Sequence, residues 1–313
     1  MHIYCPTDCI GHENGPHHPE SPDRLKRLLD LFKRDYAANL MPNPAPISLH
    51  ECPSIHDKSY FSNLIKIATA LTHSHSTLTS HQIDSDTALS QGSLGALEQC
   101  LGVITHASQT LIDQESQCIF CSMRPPGHHA EHDKAMGFCF INWAFLAAIL
   151  LGQSNKKRVV IIDFDVHHGN GTDDLTRRHC KAGHDNIAYA SLHESPLFPD
   201  TGLNNSTEKY TDHILNIPYA PYTKGNAFHD LWDQHIIPFV KAHNADYIIL
   251  SAGFDAHTDD PLSTAQLSED DFERLTYSIC QLYLPILSIL EGGYNLDALE
   301  NSVTAHLDAL LDM

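Results

Sequence analysis

The sequence lacks any apolar stretch long enough to cross a bilayer, which takes roughly 20 consecutive apolar residues. The longest candidate, Phe138 to Leu151, is interrupted by Asn142 and predicts a buried helix instead. The first residues, MHIYCPTDC, also lack the basic and apolar regions of a signal peptide. We therefore expect a cytoplasmic protein that does not associate with membranes. Export by a pathway that needs no signal peptide is the alternative.

Basic residues are scarce. Nineteen lysines and arginines stand against 39 acidic residues, which gives a formal charge of -20. Such a surface repels the phosphate groups of nucleic acids and of anionic membranes, so direct binding to nucleic acid is not expected. The acidic surface favours encounter with cationic partners such as lysine-rich peptides or polyamines. The charge alone does not distinguish between these two classes of partner.

Paired cysteine motifs are also missing. The nine cysteines are odd in number and mostly scattered, which argues against a disulfide framework. The CxxC motif Cys118 to Cys121 lies in a strand-like run and has no second CxxC to complete a zinc knuckle. Most of the cysteines are therefore predicted to be buried thiols.

Repeats and low-complexity blocks are absent, so we predict one domain over residues 1–313. Short β-branched runs alternate with longer amphipathic stretches, which indicates an α/β fold with a mainly parallel sheet. Strands are predicted at Cys118–Met123, Arg158–Asp163, Ile187–Leu192, His213–Ile217, Asp246–Ser251 and Pro285–Leu290. Helices are predicted at Pro22–Tyr36, Asn142–Leu151, Thr172–His179, Asn226–His243, Glu269–Leu282 and Leu296–Leu311.

Polar side chains follow several of these predicted strands. In an open parallel sheet, ligands bind beyond the carboxyl ends of the strands. Four strand ends place histidine, carboxylate or tyrosine beside glycine, in the runs RPPGHH, DFDVHHGNG, SAGFD and EGGY. We therefore predict that these four segments converge on one cleft.

The spacing of Asp163, Asp165 and His167 has a direct geometric meaning. Alternate residues of an extended chain point to the same side, so these three project together if the strand continues through them. A carboxylate and an imidazole two residues apart can chelate a divalent ion, and Asp255 would supply a third ligand. Three protein ligands and an open position are typical of catalytic zinc. The alternative is that the aspartates cap the next helix and His167 is an ordinary satisfied polar residue.

The doublet His128-His129 and Tyr294 add catalytic chemistry. Imidazoles beside a metal would supply a general base and an electrostatic group, and a phenol could lie where an oxyanion forms. Each signal is weak alone, because adjacent histidines diverge unless the loop turns both inward, and a lone tyrosine is more often an ordinary packing residue.

Taken in order, RPPGHH, GFCFIN, DFDVHHGNG, SLH, SAGFD and EGGY closely resemble the zinc-dependent histone deacetylase superfamily, over about residues 2 to 300. Asn170 resembles the class II branch and similar bacterial amidohydrolases. The resemblance implies the arginase–deacetylase fold, a three-layer α/β/α sandwich around a sheet of eight parallel strands.

The resemblance also implies which residues act. It makes Asp165, His167 and Asp255 the zinc ligands, in a site that also accepts Fe(II). It implies five catalytic residues, namely the general base His129, its electrostatic neighbour His128, their partners Asn170 and Asp163, and the carbonyl-polarising Tyr294. It further implies a structural potassium ion held by carbonyl oxygens of Asp163, Asp165, His167 and Leu192 and by side-chain oxygens of Asp163 and Ser191.

The implied substrate is an acyl-lysine protein or peptide, from which the enzyme removes acetyl or longer acyl groups. Phe138 and Phe198 match the aromatic walls of the family's acyl-lysine tunnel, and Gly137 matches the carbonyl that contacts the substrate amide. An acetylpolyamine amidohydrolase is the nearest alternative, but Leu262 stands where polyamine-selective relatives have a glutamate. A non-catalytic acyl-lysine reader is the other alternative, and it predicts damage to the ligands or to Tyr294, all of which are present.

Overall fold

Nearly continuous apolar runs form the strands of the main sheet, as expected where helices cover both faces. The computed structural model describes residues 1–73, 80–153, 157–203 and 211–313. Its strands are β1 (His2–Tyr4), β2 (Ser80–Gln82), β3 (Ala88–Ser90), β4 (Cys118–Cys121), β5 (Val159–Asp163), β6 (Ile187–Glu194), β7 (Ile214–Tyr219), β8 (Tyr247–Ala252) and β9 (Ile286–Leu290). Its helices are α1 (Pro22–Asp35), α2 (Lys58–His73), α3 (Ser93–Ile112), α4 (Trp143–Gln153), α5 (Asn170–Lys181), α6 (Gly225–Leu231), α7 (Ile237–His243), α8 (Glu269–Cys280) and α9 (Leu296–Leu311).

The main sheet is parallel throughout and has the order β1-β4-β9-β8-β5-β6-β7. Helices flank it in a three-layer α/β/α arrangement, which confirms the predicted fold class. The expected count of eight strands is wrong for the described residues, which form seven. The two further strands, β2 and β3, pair antiparallel in a separate hairpin, and β2 is exposed on both faces and cannot be an interior strand.

The strand order explains why the polar segments converge. The four strands that precede the predicted site segments, β4, β9, β8 and β5, are consecutive neighbours in the sheet. Because all four run in the same direction, their carboxyl ends meet at one edge. We call this the carboxyl edge of the sheet.

The predicted helix Asn226–His243 is interrupted. A π-helical turn at Trp232–Ile236 separates α6 from α7. Pro238 lies just after this turn, and proline has no N–H to donate to the preceding helical turn. The missing donor accounts for the local change in hydrogen-bond spacing.

The loop between β9 and α9 is fixed by a helix cap. The Asn295 side-chain oxygen accepts hydrogen bonds from the amides of Asp297 and Ala298, both at 3.1 Å, as an N-cap residue does. This cap immediately follows Tyr294 and holds the chain on its carboxyl side. In the described part of the chain, helices of membrane-spanning length and apolarity are absent.

Candidate active site

Three predicted ligands meet at the carboxyl edge. The His167 Nδ1 atom lies 2.9 Å from Asp165 Oδ1 and 3.1 Å from Asp255 Oδ2. All three residues are buried, and their donor atoms lie within 4.8 Å of one another. The structure therefore brings together the Asp165, His167 and Asp255 side chains that the sequence predicts as one metal site.

The surroundings of the two carboxylates fit a metal ion. A Cβ atom at Gly292 would lie 2.1 Å from Asp255 Oδ2 and 2.6 Å from Asp165 Oδ2, so only glycine leaves this space open. Burial, followed by the negative charge of Asp165, raises the pKa of Asp255 to about 7. A divalent cation would relieve this repulsion, and two carboxylates with one imidazole are donors that suit zinc or iron.

Asp163 does not join this group. The strand β5 ends at Asp163, so the alternation expected for a continuing strand no longer applies beyond it. Its Oδ2 atom instead faces His128 Nδ1 at 3.1 Å and accepts a hydrogen bond from the Tyr189 hydroxyl at 3.0 Å. The condition that the strand continues through residue 167 is therefore not met: Asp165 and His167 still meet, whereas Asp163 lies apart from them and pairs with His128 as predicted.

The contacts of His129 fix which of its nitrogens is free. The Asn170 amide group donates to Glu131 Oε1 at 2.6 Å, so its oxygen is the acceptor that lies 2.8 Å from His129 Nδ1. The Nδ1 atom of His129 therefore carries the proton, and Nε2 has a lone pair. Burial, and then the charges of His128 and His167, hold the pKa of His129 well below its usual range.

His128 has the opposite environment although its ring centre lies only 3.9 Å from that of His129. Burial alone would lower the pKa of His128, but the carboxylates of Asp165 and Asp163 outweigh it and raise the pKa to about 10. Paired groups whose environments separate their pKa values are suited to different roles. A neutral His129 can take a proton, and a charged His128 can stabilise negative charge.

Glu291 holds the histidine loop in place, a role that the sequence reasoning did not assign. Its Oε2 atom accepts hydrogen bonds from the amides of Gly127 at 2.7 Å and His128 at 3.2 Å. Its Oε1 atom accepts from the Ser251 hydroxyl at 3.2 Å. The signal was a carboxylate directly after a fully buried strand, where an unpaired acid is costly.

Tyr294 is held on both sides. Its amide donates to Asp260 Oδ2 at 2.7 Å, and the guanidinium of Arg24 lies 4.9 Å from its ring centre. Burial, and then the carboxylate of Asp255, raises the pKa of Tyr294 well above its usual range. The phenol therefore stays protonated and can donate a hydrogen bond at neutral pH.

The predicted tunnel residues lie beside His129 and Tyr294. A Cβ atom at Gly137 would lie 2.4 Å from the His129 ring and 3.0 Å from the Phe198 ring. The Phe198 ring centre is 5.1 Å from that of His129, and the Phe138 ring centre is 6.0 Å from that of Tyr294. The two aromatic side chains thus flank the site, Phe198 on the side of His129 and Phe138 on the side of Tyr294.

The remaining predicted residues are Leu262, Ser191 and Leu192. Leu262 is half-buried, and its amide donates to Asp260 Oδ1 at 3.0 Å, on the loop that also contacts Tyr294. In the predicted potassium site, Ser191 is the register partner of Asp163, and its hydroxyl is 2.9 Å from His193 Nδ1. Leu192 is fully buried in β6. The potassium site stays a prediction.

Comparison with known proteins gives the family. Residues 18–310 match the family model described as the histone deacetylase domain. The chain belongs to the histone deacetylase family. It is 33% identical over 312 residues to an uncharacterized protein of Synechocystis sp., with 97% of both chains covered. The chemistry shared by this family is that of deacetylases acting as amidohydrolases.

Other relatives in the family are longer. Histone deacetylase 15 of Arabidopsis thaliana is 31% identical over 94% of this chain, and Type-2 histone deacetylase 2 of Dictyostelium discoideum is 30% identical over 97%. The present chain spans 53% and 20% of these two proteins, respectively. What their remaining segments do is therefore not transferable to this chain.

Solved structures agree with the family at the level of the fold. The HDA15 HD domain superposes with a TM-score of 0.90 at 28% identity, covering 100% of this chain and 91% of that domain. An acetylpolyamine aminohydrolase from Burkholderia pseudomallei has a TM-score of 0.83 at 24% identity, covering 99% and 98%. The second similarity concerns the fold alone.

Proposed function

We propose that this protein is a zinc-dependent lysine deacylase that hydrolyses the amide bond of acetyl-lysine or longer acyl-lysine side chains in proteins or peptides. The observation that supports it most directly is the meeting of Asp165, His167 and Asp255 within 4.8 Å, beside the His128-His129 pair. We further propose that it acts in the cytoplasm without binding nucleic acid, in keeping with its charge of -20.

Asp165, His167 and Asp255 would hold the ion, with Fe(II) as an alternative to zinc. A bound zinc ion would lower the pKa of a coordinated water and polarise the acyl carbonyl. His129 would accept the proton of the attacking water at Nε2 and then deliver it to the departing amine. Asn170 accepts the hydrogen bond from His129 Nδ1 and so keeps the proton on that nitrogen, which leaves Nε2 free to act as the base.

His128 and Tyr294 would act on charge. The Tyr294 hydroxyl would donate a hydrogen bond to the oxygen that becomes negative, a contribution that is largest in a buried site. His128, held by Asp163, would supply positive charge beside the same oxygen. Gly137 and the rings of Phe138 and Phe198 would bind the extended acyl-lysine side chain and exclude water from it.

The preference for peptides over polyamines rests on Leu262. An aliphatic side chain offers no attraction to the distal ammonium of a polyamine, whereas a carboxylate there would pair with it. The deciding experiment measures kcat/KM of the purified protein on acetyl-lysine peptides, longer acyl-lysine peptides and acetylated polyamines, each with and without chelator. Chelator-sensitive turnover of acyl-lysine peptides supports the proposal, and turnover that survives complete metal removal contradicts it.

A further inference from the structure

Glu131 is the third member of a chain of hydrogen bonds that begins at the proposed general base. His129 Nδ1 donates to Asn170 Oδ1 at 2.8 Å, and Asn170 Nδ2 donates to Glu131 Oε1 at 2.6 Å. The amide group of an asparagine has an acceptor oxygen at one end and a donor NH₂ group at the other. Asn170 can therefore hold the proton on His129 only while its own amide group keeps this orientation.

The orientation of the Asn170 amide decides which nitrogen of His129 is protonated. If the amide group turned over, its NH₂ group would face His129 Nδ1. A donor at that position pairs only with an unprotonated nitrogen, so the proton of a neutral ring would move to Nε2. His129 would then present an N–H, and not a lone pair, at the atom that accepts the proton of the attacking water. The group that prevents this rotation therefore controls whether His129 can act as a base.

Two acceptors lie beside the Asn170 NH₂ group and favour the observed orientation. Its Nδ2 atom faces Glu131 Oε1 and also lies 3.4 Å from the Met136 sulfur. A carboxylate has no hydrogen to donate, so a rotated amide would bring its oxygen against the negative charge of Glu131. Hydrogen bonds to a charged group are roughly twice as strong as neutral ones, and a thioether is a weak acceptor. Glu131 therefore makes the larger contribution of the two.

The backbone of Glu131 is fixed by a buried histidine. Burial lowers the pKa of His56 to about 4, so its ring is neutral at neutral pH. Its Nε2 atom accepts a hydrogen bond from the Asn142 amide at 3.1 Å, so Nδ1 carries the proton and donates to the Glu131 carbonyl at 2.9 Å. The Glu131 amide donates to the Lys134 carbonyl at 3.0 Å. Glu131 is therefore held in place by segments that precede α2 and α4.

Asn170 is fixed from the other side by the start of α5, of which it is the first residue. The Gly171 amide donates to the His128 carbonyl at 3.1 Å. A Cβ atom at Gly171 would overlap the Ala130 carbonyl, so the helix approaches this segment as closely as a glycine allows. The backbones that carry Asn170 and Glu131 are therefore packed together, and the contact between the two side chains does not depend on a mobile loop.

We propose that Glu131 is a positioning residue for the general base, because it fixes the amide orientation of Asn170 and thereby keeps the proton on His129 Nδ1. The inference rests on the proposed function for the role of His129 as the base. In the described part of the chain, no hydrogen bond or ion pair joins Glu131 to the three predicted metal ligands. Loss of its carboxylate should therefore lower kcat, with little effect on KM or on zinc content.

The direct test is NMR of the zinc-loaded protein with labelled histidines, which distinguishes protonated from unprotonated ring nitrogens. The His129 signals are identified by their loss in His129→Gln. We expect the proton on Nδ1 in the unchanged protein and a substantial fraction on Nε2 in Glu131→Ala. The kcat of Glu131→Ala on acetyl-lysine peptides should fall by about 10–100-fold, the range typical of losing a partner that orients a histidine. An unchanged tautomer in Glu131→Ala would overturn the proposal, whatever happens to kcat.

Two further variants serve as comparisons. Glu131→Gln keeps an oxygen that can accept from Asn170, so it should retain the tautomer and lose less activity than Glu131→Ala. Asp133→Ala removes an exposed carboxylate from the same loop and is the matched control. It should change neither the tautomer nor kcat, and a tautomer shift in this variant equal to that in Glu131→Ala would overturn the specific role of Glu131.

A second test exchanges the chemistry of the pair and keeps both side chains nearly the same size. Asn170→Asp puts a carboxylate oxygen next to Glu131 Oε1, and two carboxylates this close cannot both be ionised without a large cost. Its kcat should therefore fall. Adding Glu131→Gln, whose NH₂ group can donate to the new carboxylate, should restore kcat at least about tenfold, a coupling typical of residues in contact. A double variant no more active than Asn170→Asp would overturn the pairing.

The two proposals can fail separately. Absence of acyl-lysine turnover in the unchanged protein would contradict the proposed function, while the tautomer of His129 in Glu131→Ala would still decide the role of Glu131. Conversely, an active deacylase whose His129 keeps its tautomer in Glu131→Ala would leave the proposed function intact and overturn the present inference.

Discussion

Asp255 connects β8 to the segment that follows β5, and we expect this one carboxylate to serve both metal binding and the fold. Its Oδ2 atom faces His167, and its Oδ1 atom accepts from the Val166 amide at 2.9 Å. We expect Asp255→Ala to lose both the metal and turnover, as measured by metal analysis and peptide hydrolysis. Asp259→Ala, an exposed carboxylate on the same loop, should retain both. Full zinc occupancy in Asp255→Ala would refute the ligand assignment.

Substitutions of Tyr294 and His129 should affect acetyl-lysine and trifluoroacetyl-lysine turnover differently. The more reactive substrate should compensate for the loss of Tyr294 but not for the loss of His129. Tyr294→Phe should keep the metal and lower kcat by about 10²–10³, the usual effect of removing one oxyanion donor. Hydrolysis of trifluoroacetyl-lysine should fall less, because its carbonyl is already electrophilic. His129→Ala should impair both substrates, because the water still needs a base and the amine still needs a proton. Equal losses of both activities in Tyr294→Phe would show that the phenol does not polarise the carbonyl.

Leu262 is the residue at which substrate class should change. The unchanged protein should have a higher kcat/KM for acyl-lysine peptides than for N-acetylputrescine or N8-acetylspermidine. Leu262→Glu should move the preference towards the polyamines, and Leu262→Gln should not, since it adds polarity without charge. A tenfold preference of the unchanged protein for acetylpolyamines, about 1.4 kcal/mol in transition-state binding, would contradict the peptide substrate.

At the scale of elements, Glu291 joins the loop after β4 to the end of β9. Burial raises the pKa of this carboxyl to about 7. Its oxygen accepts hydrogen bonds from the buried amides of Gly127 and His128. Glu291→Ala leaves both donors unpaired, at about 1–3 kcal/mol each. We expect a lower free energy of unfolding in urea and a large loss of kcat, both partly restored in Glu291→Gln, which keeps one acceptor. Unchanged stability and turnover in Glu291→Ala would show that the histidine loop does not depend on Glu291.

The interior strands could be predicted from sequence, and the edge elements could not. Strands such as β5 and β8 are wholly buried apolar runs, which is the strongest pattern a parallel sheet provides. The strand β1 has only three residues, too few to show any periodicity. The helices α2 and α3 were also missed, and in α3 apolar residues surround much of the axis, so no amphipathic stripe marks it.

The candidate site also has a part that the sequence predicts and a part that it does not. The ligand group and the histidine pairings with Asp163 and Asn170 follow from motifs, because their residue types and order are distinctive. The roles of Glu131 and Glu291 depend on contacts between chain segments far apart in sequence, as with Glu291 and Gly127. The turn of the backbone after Asp163 could not be predicted either, because it depends on contacts with Asp255 and Gly292.

At the scale of the whole molecule, we expect His306 to make stability depend on pH. Its ring is fully buried between Thr276 on α8 and Ser288 on β9, at 2.7 and 2.8 Å. Burial lowers the pKa of His306 to about 3, whereas an unfolded histidine titrates near 6.5. Between these values the unfolded chain binds the additional proton, so stability is retained above about pH 6.5 and falls as the pH drops towards 3.

The expected slope is about 1.4 kcal/mol per pH unit for one such histidine. His306→Gln should flatten the pH dependence of the urea midpoint between pH 4 and 6.5, although it lowers stability at neutral pH. The exposed His235→Asn should leave the slope unchanged. An identical slope in His306→Gln and the unchanged protein would show that this residue does not control acid stability.

The position of β9 has a consequence for how the molecule is made. This strand lies between β4 and β8 and pairs with both, yet it is the last strand of the described chain. Until residues 286–290 are synthesised, β1 and β4 are separated from β8, β5, β6 and β7, and each part has an unpaired edge. Such open edges promote association between chains. A growing polypeptide should therefore expose these strand edges until residue 290 has emerged, so association between unfinished chains is expected up to that point.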